Sequence, residues 1–544
     1  MKYFLLICLF FLNTAPCGFA QPVNSSITLP LLENEQWWGG AVQYGDQMPF
    51  NKASSFSFNL YGDVSNNQSA PLLISNKGRW IWCDAPFLFS FEQDTLHVTT
   101  TSMDKIQSGT AGNNLQSVYQ YVSKQFFPSS GRWPDSLLVT SPQYNLWIEL
   151  QYNPNQKDVL NYADKVLQNG WPAGVLMIDD NWSNYYGELD FDKAKFPDAK
   201  DAITRLHQEG FKVMLWICPF ITPDSKEFRE LLSKKYLLLD NENDESKKWE
   251  DATKPLLIRW WNGYSACLDL TNPGAKQWLK DKLQFLQNEY GVDGFKLDAG
   301  DPYFYNNKNL LSYKKISPND QCTEWAKVGL EFPLNEYRAM WKMGGEPLVE
   351  RLADKNHTWE DLQTLVPNTI AQQLLGHTFT CPDMIGGGNF TSFLPGSTID
   401  QKLIVRSAQV HALMPMMQFS VAPWRVLDPE HLQAVNDAVK IRQQYMAYIM
   451  SVMRRSARTG EPALRPLAYN YPGKGYEMIK DQFMMGDEML VAPVVTEKDE
   501  RDVVLPSGDW AYQNKKWSGD KTYHINVSLN EVPVFMKTSK SGKK

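Results

Sequence analysis

Short stretches of alternating apolar and polar residues open the chain. SSFSFNLYG, RWIWCDAPFLFSF and TLHVTTTS, separated by Gly, Asn and Pro, predict an antiparallel β-sandwich over about residues 21–130. The period then changes. LWIELQYN is followed by a helix-like stretch near 159–169, then GVLMIDDNW, helical AKDAITRLHQEG, apolar KVMLWICPF, helical AKQWLKDKLQFLQNEY and DGFKLDAG. PLVERLAD, TWEDLQTLVPNTIAQQL, HTFTCPDMIGG, IDQKLIVRSAQVHAL and MMQFSVAP continue the series. Apolar runs alternating with amphipathic helices predict parallel strands in βα units. Seven strand candidates between about 144 and 423 favour an α/β fold closed as a (β/α)8 TIM barrel, with the eighth strand to be sought in the irregular inserts. The barrel is expected over 131–455, with inserts at about 221–265 and 302–340 that each follow a strand and so belong on the catalytic face. After a predicted helix near 429–456, β signals return in YEMIKDQFMMGDEMLVAPVV, RDVVLPSGDWAY and EVPVFMK, predicting a C-terminal β-sandwich over 456–544.

Composition narrows the function class. The 544 residues are 43% apolar and 21% charged, which suits a globular chain of several parts. A net charge of −7 without clustered Lys and Arg argues against nucleic acid and fits a neutral substrate. Aromatic residues reach 13%, a surplus that serves cores and the stacking of sugar rings alike. Residues 1–20, MKYFLLICLFFLNTAPCGFA, read as a secretory signal peptide cleaved before Gln21, which predicts a secreted or periplasmic protein. Cys17 offers lipid anchoring as an alternative, although Thr14-Ala15-Pro16 makes a poor lipobox. The leader is shorter than the roughly 20 apolar residues that cross a bilayer, and no later segment qualifies. Cys83, Cys218, Cys267, Cys322 and Cys381 are scattered without paired spacing, so neither a disulfide framework nor a metal site is expected. The seven His show no ligand spacing either, and no cofactor is expected.

In a barrel, catalytic groups collect where strands end. Four such ends carry Asp: Asp179 and Asp180 in LMIDDNW, Asp298 in FKLDAGD, Asp354 in VERLADKNHTW, and Asp383 in CPDMIGGG. One Asp at a strand end is most often a helix cap; several converging on one face fit glycoside hydrolysis, which needs two carboxyl groups across the scissile bond. No GxSxG elbow, HExxH, Walker loop or GxGxxG after a strand offers a competing chemistry.

These residues together resemble glycoside hydrolase family 31, a group of retaining α-glucosidases, α-xylosidases and some α-galactosidases. The likeness extends from the sandwich through the barrel to DQFMMGDEMLVAPVV, LPSGDW and EVPVF. It implies that Asp298 is the nucleophile, as the Asp of GFKLD, and that Asp354, preceding the TW helix start, is the acid/base. It further implies that Arg351, Asp179, Asp180 and Trp216 hold the sugar, that Asp383 binds or supports it, and that Trp182 of IDDNW belongs to the same pocket. Two departures from the family's glucosidases stand out: DAGD replaces the usual DMNE, and QFSVAPW has no His near Ser420. Lys296, two residues before the nucleophile, together with DDNW, is similar to α-galactosidases, so an α-galactoside is favoured over an α-glucoside, which stays open. Lys296 is read as keeping Asp298 anionic or as an ion-pair partner of a neighbouring Asp, and Asp354 is expected in a drier setting that raises its pKa. Transglycosylation by the same residues, and a catalytically inactive carbohydrate-binding homologue, are the rival functions.

Overall fold

The computed structural model describes residues 25–538. The signal-peptide and Cys17 readings lie outside the described residues. Eight parallel strands form the central sheet: β1 (Gln143–Asn145), β2 (Val175–Ile178), β3 (Lys212–Ile217), β4 (Gly294–Leu297), β5 (Leu334–Tyr337), β6 (Val349–Arg351), β7 (Phe379–Cys381) and β8 (Gln418–Phe419). They neighbour one another in chain order, β8 returns to β1 through Gln418 opposite Gln143, and a bridge from Ile385 to Phe419 brings the β7 end back to β8. The barrel is therefore nearly closed.

Two strand assignments change. The missing strand is β5, LNEY, inside the second insert. The apolar part of LWIELQYN is not a strand: Gln143–Asn145 pairs in the sheet, and Trp147–Leu150 is one helical turn beyond it. Tyr144 alone of the β1 residues is strongly apolar and Gln143 and Asn145 bond inside the barrel, so hydrophobic periodicity pointed past the strand to the turn.

The N-terminal part consists of two antiparallel sheets. One contains Ser25–Pro30, Phe56–Asn59, Leu88–Glu92 and Thr95–Thr100; the other contains Trp37–Ala41, Gln68–Ser75, Arg79–Trp82 and Gln107–Thr110. Phe50, Phe56, Phe89 and Phe91 pack into its core at ring-centroid distances of 4.5–6.3 Å. This part supports the barrel directly. Met340–Trp341, just after β5, pairs in parallel with Gln68–Ser69, and Gln68 Nε2 donates to the carbonyls of Arg338 and Arg351 at 2.5 and 3.1 Å. Asn67 Oδ1 accepts from Ala353 N at 3.1 Å. The two inserts meet through Leu239 opposite Leu311, and an antiparallel hairpin of Ile258–Trp260 and Gly263–Cys267 rises from the first. After the helix Pro429–Thr459, a six-stranded sheet from Leu464–Arg465 to Val534–Lys537 and the pair Glu500–Leu505 with Lys521–Asn526 complete the C-terminal part. Buried Arg442 joins helix to barrel by donating to the carbonyls of Val139, Ala412, Met414 and Pro415 at 2.6–3.1 Å.

Candidate active site

A pocket of about 380 Å³ opens among the loops that follow the strands, and Asp179, Asp180, Trp216, Lys296, Asp298, Arg351 and Asp354 all line it. Its floor is set by register. Lys296 on β4 stands opposite Trp216 on β3 and Glu336 on β5, and alternate residues of a strand share a face, so Lys296 and Asp298 point the same way.

Asp298 is held from several sides. Trp216 Nε1 donates to Oδ2 at 2.9 Å, Ala299 N donates to Oδ1 at 2.9 Å, and Arg338 Nη1 lies 3.7 Å from Oδ1. Burial would raise its pKa, but the positive fields of Arg338, Lys296 and Arg351 with the Trp216 bond outweigh it and hold the carboxyl well below the usual range. The DAGD turn is tight. Ala299 has φ 56° and Gly300 φ 75°, and a Cβ on Gly300 would sit 2.2 Å from Trp325 Cδ1. A left-handed alanine costs about 1–3 kcal/mol, a strain concentrated beside Asp298.

Lys296 Nζ donates to Asp179 Oδ2 at 2.7 Å, both side chains being buried. Burial most strongly disfavours the ammonium, but the negative fields of Asp179, Asp298 and Glu336 together outweigh it, and the Lys296 pKa is raised. Asp180 accepts from Asn262 Nδ2 at 2.8 Å and from Tyr186 OH at 3.4 Å. Among the described residues its Oδ1 is buried without a partner. Burial and the adjacent Asp179 push Asp180 up to about 7.

Across the pocket, Arg351 Nη1 donates to Asp354 Oδ1 at 2.6 Å and to Asp383 Oδ1 at 2.8 Å, while Nε lies 3.5 Å from Glu336 Oε1. Glu336 Oε2 in turn accepts from Gln418 Nε2 at 2.6 Å. Asp383 also accepts from the backbone of Lys355 and Gly388 at 2.8 and 3.1 Å. Burial raises Asp383 to about 7 against the pull of Arg351. Asp354 departs from the expectation of a raised pKa. Desolvation does push upward, but Arg351 and then Lys296 outweigh it, and the carboxyl is lowered. Its side chain is 44% exposed, facing the pocket.

Two expected sugar-binding residues do not line the pocket. Trp182 is buried, donates from Nε1 to Trp216 O at 2.7 Å and packs on Phe191 at 5.0 Å, so it backs the strand that carries Trp216. Asp383 is fully buried behind Arg351 and fastens the 354–356 and 386–388 loops.

Several residues of the site were not picked out in the sequence. Arg338 follows β5, its Nη2 donates to Asp301 Oδ2 at 2.6 Å, and its guanidinium lies 4.7 Å from the Trp261 ring centroid. Trp147, Tyr152, Asn356, Asn389 and Phe390 complete the wall. Among the described residues no group of His, Cys, Asp and Glu is arranged to hold a metal ion, the five cysteines are free and buried, and no helix is long and apolar enough to cross a membrane.

Residues 141–346 match the model of the glycosyl hydrolases family 31 TIM-barrel domain, and residues 460–540 match that of the family 31 C-terminal domain. The chain belongs to glycoside hydrolase family 31. Among its relatives, the myogenesis-regulating glycosidase of Mus musculus is 32% identical over 437 residues, which is 78% of this family 31 chain and 59% of the mouse protein. Alpha-glucosidase 2 of Bacillus thermoamyloliquefaciens is 25% identical over 455 residues, 76% of this chain and 54% of its own length. The chain thus spans less than three fifths of either relative. A Flavobacterium johnsoniae family 31 dextranase, solved in complex with glucose, superposes with a TM-score of 0.80 at 20% identity, covering 96% of this chain and 68% of that one. The shared fold extends well past the barrel.

Proposed function

We propose that this family 31 chain is a retaining, exo-acting α-glycoside hydrolase. One observation carries the reading: two carboxylates in unlike settings, Asp298 and Asp354, line one pocket, the first fixed by Trp216 and Arg338 and the second open to the pocket. Asp298 attacks the anomeric carbon as the glycosidic bond breaks, and Asp354 gives its proton to the departing oxygen. A water then loses a proton to Asp354 and displaces Asp298 with a second inversion, so the anomer is retained. The pocket sits at the mouth of a barrel whose interior is filled by side chains, so it is blind and suits a chain-terminal sugar.

For the sugar itself, an α-galactoside is our reading. Lys296 with Asp179, and Asp180 with Asn262, place charged donors and acceptors together on one wall, where axial and primary hydroxyls of galactose could take charge-assisted hydrogen bonds. The Ser420 position, where the family's glucosidases have a His close by, is occupied in holding the backbone, its Oγ accepting from Ile148 N at 2.8 Å. The names of the Bacillus glucosidase and the dextranase favour the second reading, an α-glucoside.

Nitrophenyl α-glycosides of galactose, glucose, xylose and N-acetylgalactosamine test both. Cleavage of the galactoside with release of the α-anomer first is expected; an inverted first product overturns retention. No cleavage of any of them, with sugar still bound, supports the carbohydrate-binding alternative. Product analysis with and without an acceptor sugar separates hydrolysis from transglycosylation.

A further inference from the structure

We propose that Glu336 is a positioning residue for the reaction: it draws Arg351 away from Asp354 when a sugar enters, so that Asp354 can be protonated. The inference rests on the glycosidase reading above, which needs Asp354 to carry a proton as the glycosidic bond breaks. In this structure Arg351 holds Asp354 as the anion. The guanidinium must therefore settle on another carboxylate during the reaction.

The bonds of Arg351 are unevenly spread. Nη1 carries two N–H groups yet faces three acceptors, Leu352 O at 2.9 Å, Asp354 Oδ1 at 2.6 Å and Asp383 Oδ1 at 2.8 Å. Nε is buried and has no partner among the described residues, and the same holds for Glu336 Oε1, which lies 3.5 Å from it. Two buried groups of opposite charge thus stand just short of a hydrogen bond, and leaving both unsatisfied is costly in a dry interior. Closing the gap to the roughly 2.7–2.9 Å of a charge-assisted pair takes a shift under about 1 Å.

The surroundings decide which partner moves. Glu336 is fully buried inside the barrel on β5, opposite Lys296 of β4. Its Oε2 accepts from Gln418 Nε2 at 2.6 Å, and Gln418 is held by Gln143 Oε1 and Asn145 Nδ2 at 2.9 and 3.4 Å, which anchors the carboxylate through β8 and β1. The charged groups that face Asp354 are Arg351, Lys296, Asp298, Arg338 and Asp383. Those that face Glu336 are Arg351, Lys296 and Asp179, beside the Cys381 thiol that burial keeps neutral. Arg351 and Lys296 are common to both sets, and Lys296 is committed to Asp179, so Arg351 is the cation that can pass between the two acids. Of the two carboxylates on Nη1, Asp383 is tied to the backbone of Lys355 and Gly388, whereas Asp354 faces the pocket. A sugar hydroxyl that takes an N–H of Arg351 therefore displaces Asp354. The guanidinium settles on Glu336 and Asp383, and Asp354 takes its proton from water.

The test is a pair of pH profiles on a methyl α-glycoside of the sugar selected by the nitrophenyl panel, whose poor leaving group needs the acid. The basic limb of kcat/KM reports Asp354 in the free enzyme, and that of kcat reports it in the complex. In the wild type the kcat limb is expected at higher pH by about one unit, the tenfold effect of one charge-assisted hydrogen bond. Glu336→Gln has a single amide oxygen, which Gln418 occupies. Glu336→Asp keeps the charge but falls one methylene short of Arg351, and it serves should Glu336→Gln not fold. In both, the two limbs are expected to coincide, and the ratio of kcat/KM for the methyl glycoside to that for the α-glycosyl fluoride, which needs no acid, to fall about tenfold. Coincident limbs in the wild type, or a gap that persists in both variants, overturn the proposal. So do equal losses on the two substrates, because a purely structural role moves them together. Wild-type cleavage of the fluoride but not of the methyl glycoside sinks the proposal and leaves the glycosidase reading standing; cleavage of neither ends both.

Discussion

Arg338→Met removes the guanidinium beside Asp298, the proposed nucleophile, while leaving an apolar stem. Nη1 lies 3.7 Å from Asp298 Oδ1 and Nη2 2.6 Å from Asp301 Oδ2. Two unit charges at that first separation interact by about 4 kcal/mol at an effective dielectric constant near 20. That equals about 3 pKa units at roughly 1.36 kcal/mol per unit. The guanidinium charge is spread over three nitrogens and shared with Asp301, so a rise of about 1.5 units in Asp298 is the working figure. Asp301, buried and deprived of its cation, takes up a proton, and the loss of its negative charge offsets a further part of the rise, which keeps the figure well under the full Coulomb value. Asp298 must be ionised to attack, so activity disappears as pH falls through its pKa. Raising that pKa moves the acid limb of kcat/KM to higher pH. The assay is kcat/KM against pH with a nitrophenyl α-glycoside, whose activated leaving group makes little demand on Asp354. Arg338→Lys keeps a charge but not the fork that spans both acids, and its limb should fall between wild type and Met. A limb that stays in place while kcat/KM drops by one factor at every pH would refute the electrostatic account and leave Arg338 as a purely geometric support.

Asp298→Asn is expected to lower kcat by about 10⁴-fold or more, since the neutral amide cannot form the covalent intermediate; wild-type rates on aryl α-galactosides and α-glucosides would dismiss it as nucleophile. Asp354→Ala should lose about 10²–10⁴-fold on a disaccharide and much less on a nitrophenyl glycoside, and equal losses on both would remove it as the acid. Asp383→Asn removes an acid that competes with Asp354 for Arg351 Nη1 and is itself raised by Asp354, so Arg351 is left to hold Asp354 more strongly as the anion and the basic limb of kcat/KM should move to lower pH, which a pH–rate profile resolves. His357 is neutral in the fold, its Nδ1 donating to Gly386 O and its Nε2 accepting from Asp400 N, both at 3.1 Å, with burial holding its pKa below the ordinary 6.5. Its contribution to stability is therefore present above the unfolded pKa and lost as pH falls through it toward the lower folded value. The drop in melting temperature between about pH 7 and pH 5 should shrink in His357→Gln, and an unchanged drop would contradict that linkage.

What could be read from the chain, and what could not, follows from how each element declares itself. The strands that carry Trp216, Asp298 and Arg351 are apolar runs bounded by polar loops, and Lys296 two residues before Asp298 shares its face by the twofold period of a strand. β5 has no such run. LNEY is four residues long, its Asn335 and Glu336 point to polar partners in the interior, and it lies between irregular segments, so Arg338 went unnoticed with it. Trp182 shows the opposite failure. Its place in IDDNW suggested the pocket, but the residue has φ 70° at Asn181 just before it, and the chain turns so that the indole packs behind β3. Trp261 and Asn262 come from a hairpin in the first insert that reaches the pocket through Asn262 on Asp180 after β2 and Trp261 on Arg338 after β5, contacts between distant segments that no local pattern encodes.

The placement of charge around the two carboxylates fits the different duties proposed for them despite identical chemistry. Asp298 is clamped: an indole, a backbone amide and the fields of three cations favour its anion, and none of these contacts needs to change when the sugar arrives. Asp354 is poised instead. One oxygen pairs with Arg351 Nη1, the same nitrogen that bonds Asp383, while the side chain remains open to water. A hydroxyl that engages Arg351 weakens that pairing, and a ring that covers Asp354 removes its water; both effects favour the protonated acid. On the proposed assignment, the unliganded site keeps Asp298 ready to attack and leaves Asp354 to be protonated as substrate closes over it. That asymmetry requires the arginine to sit between Asp354 and Asp383, which is the arrangement made by β6, β7 and the loops that Asn67 and Gln68 brace from the N-terminal sheet.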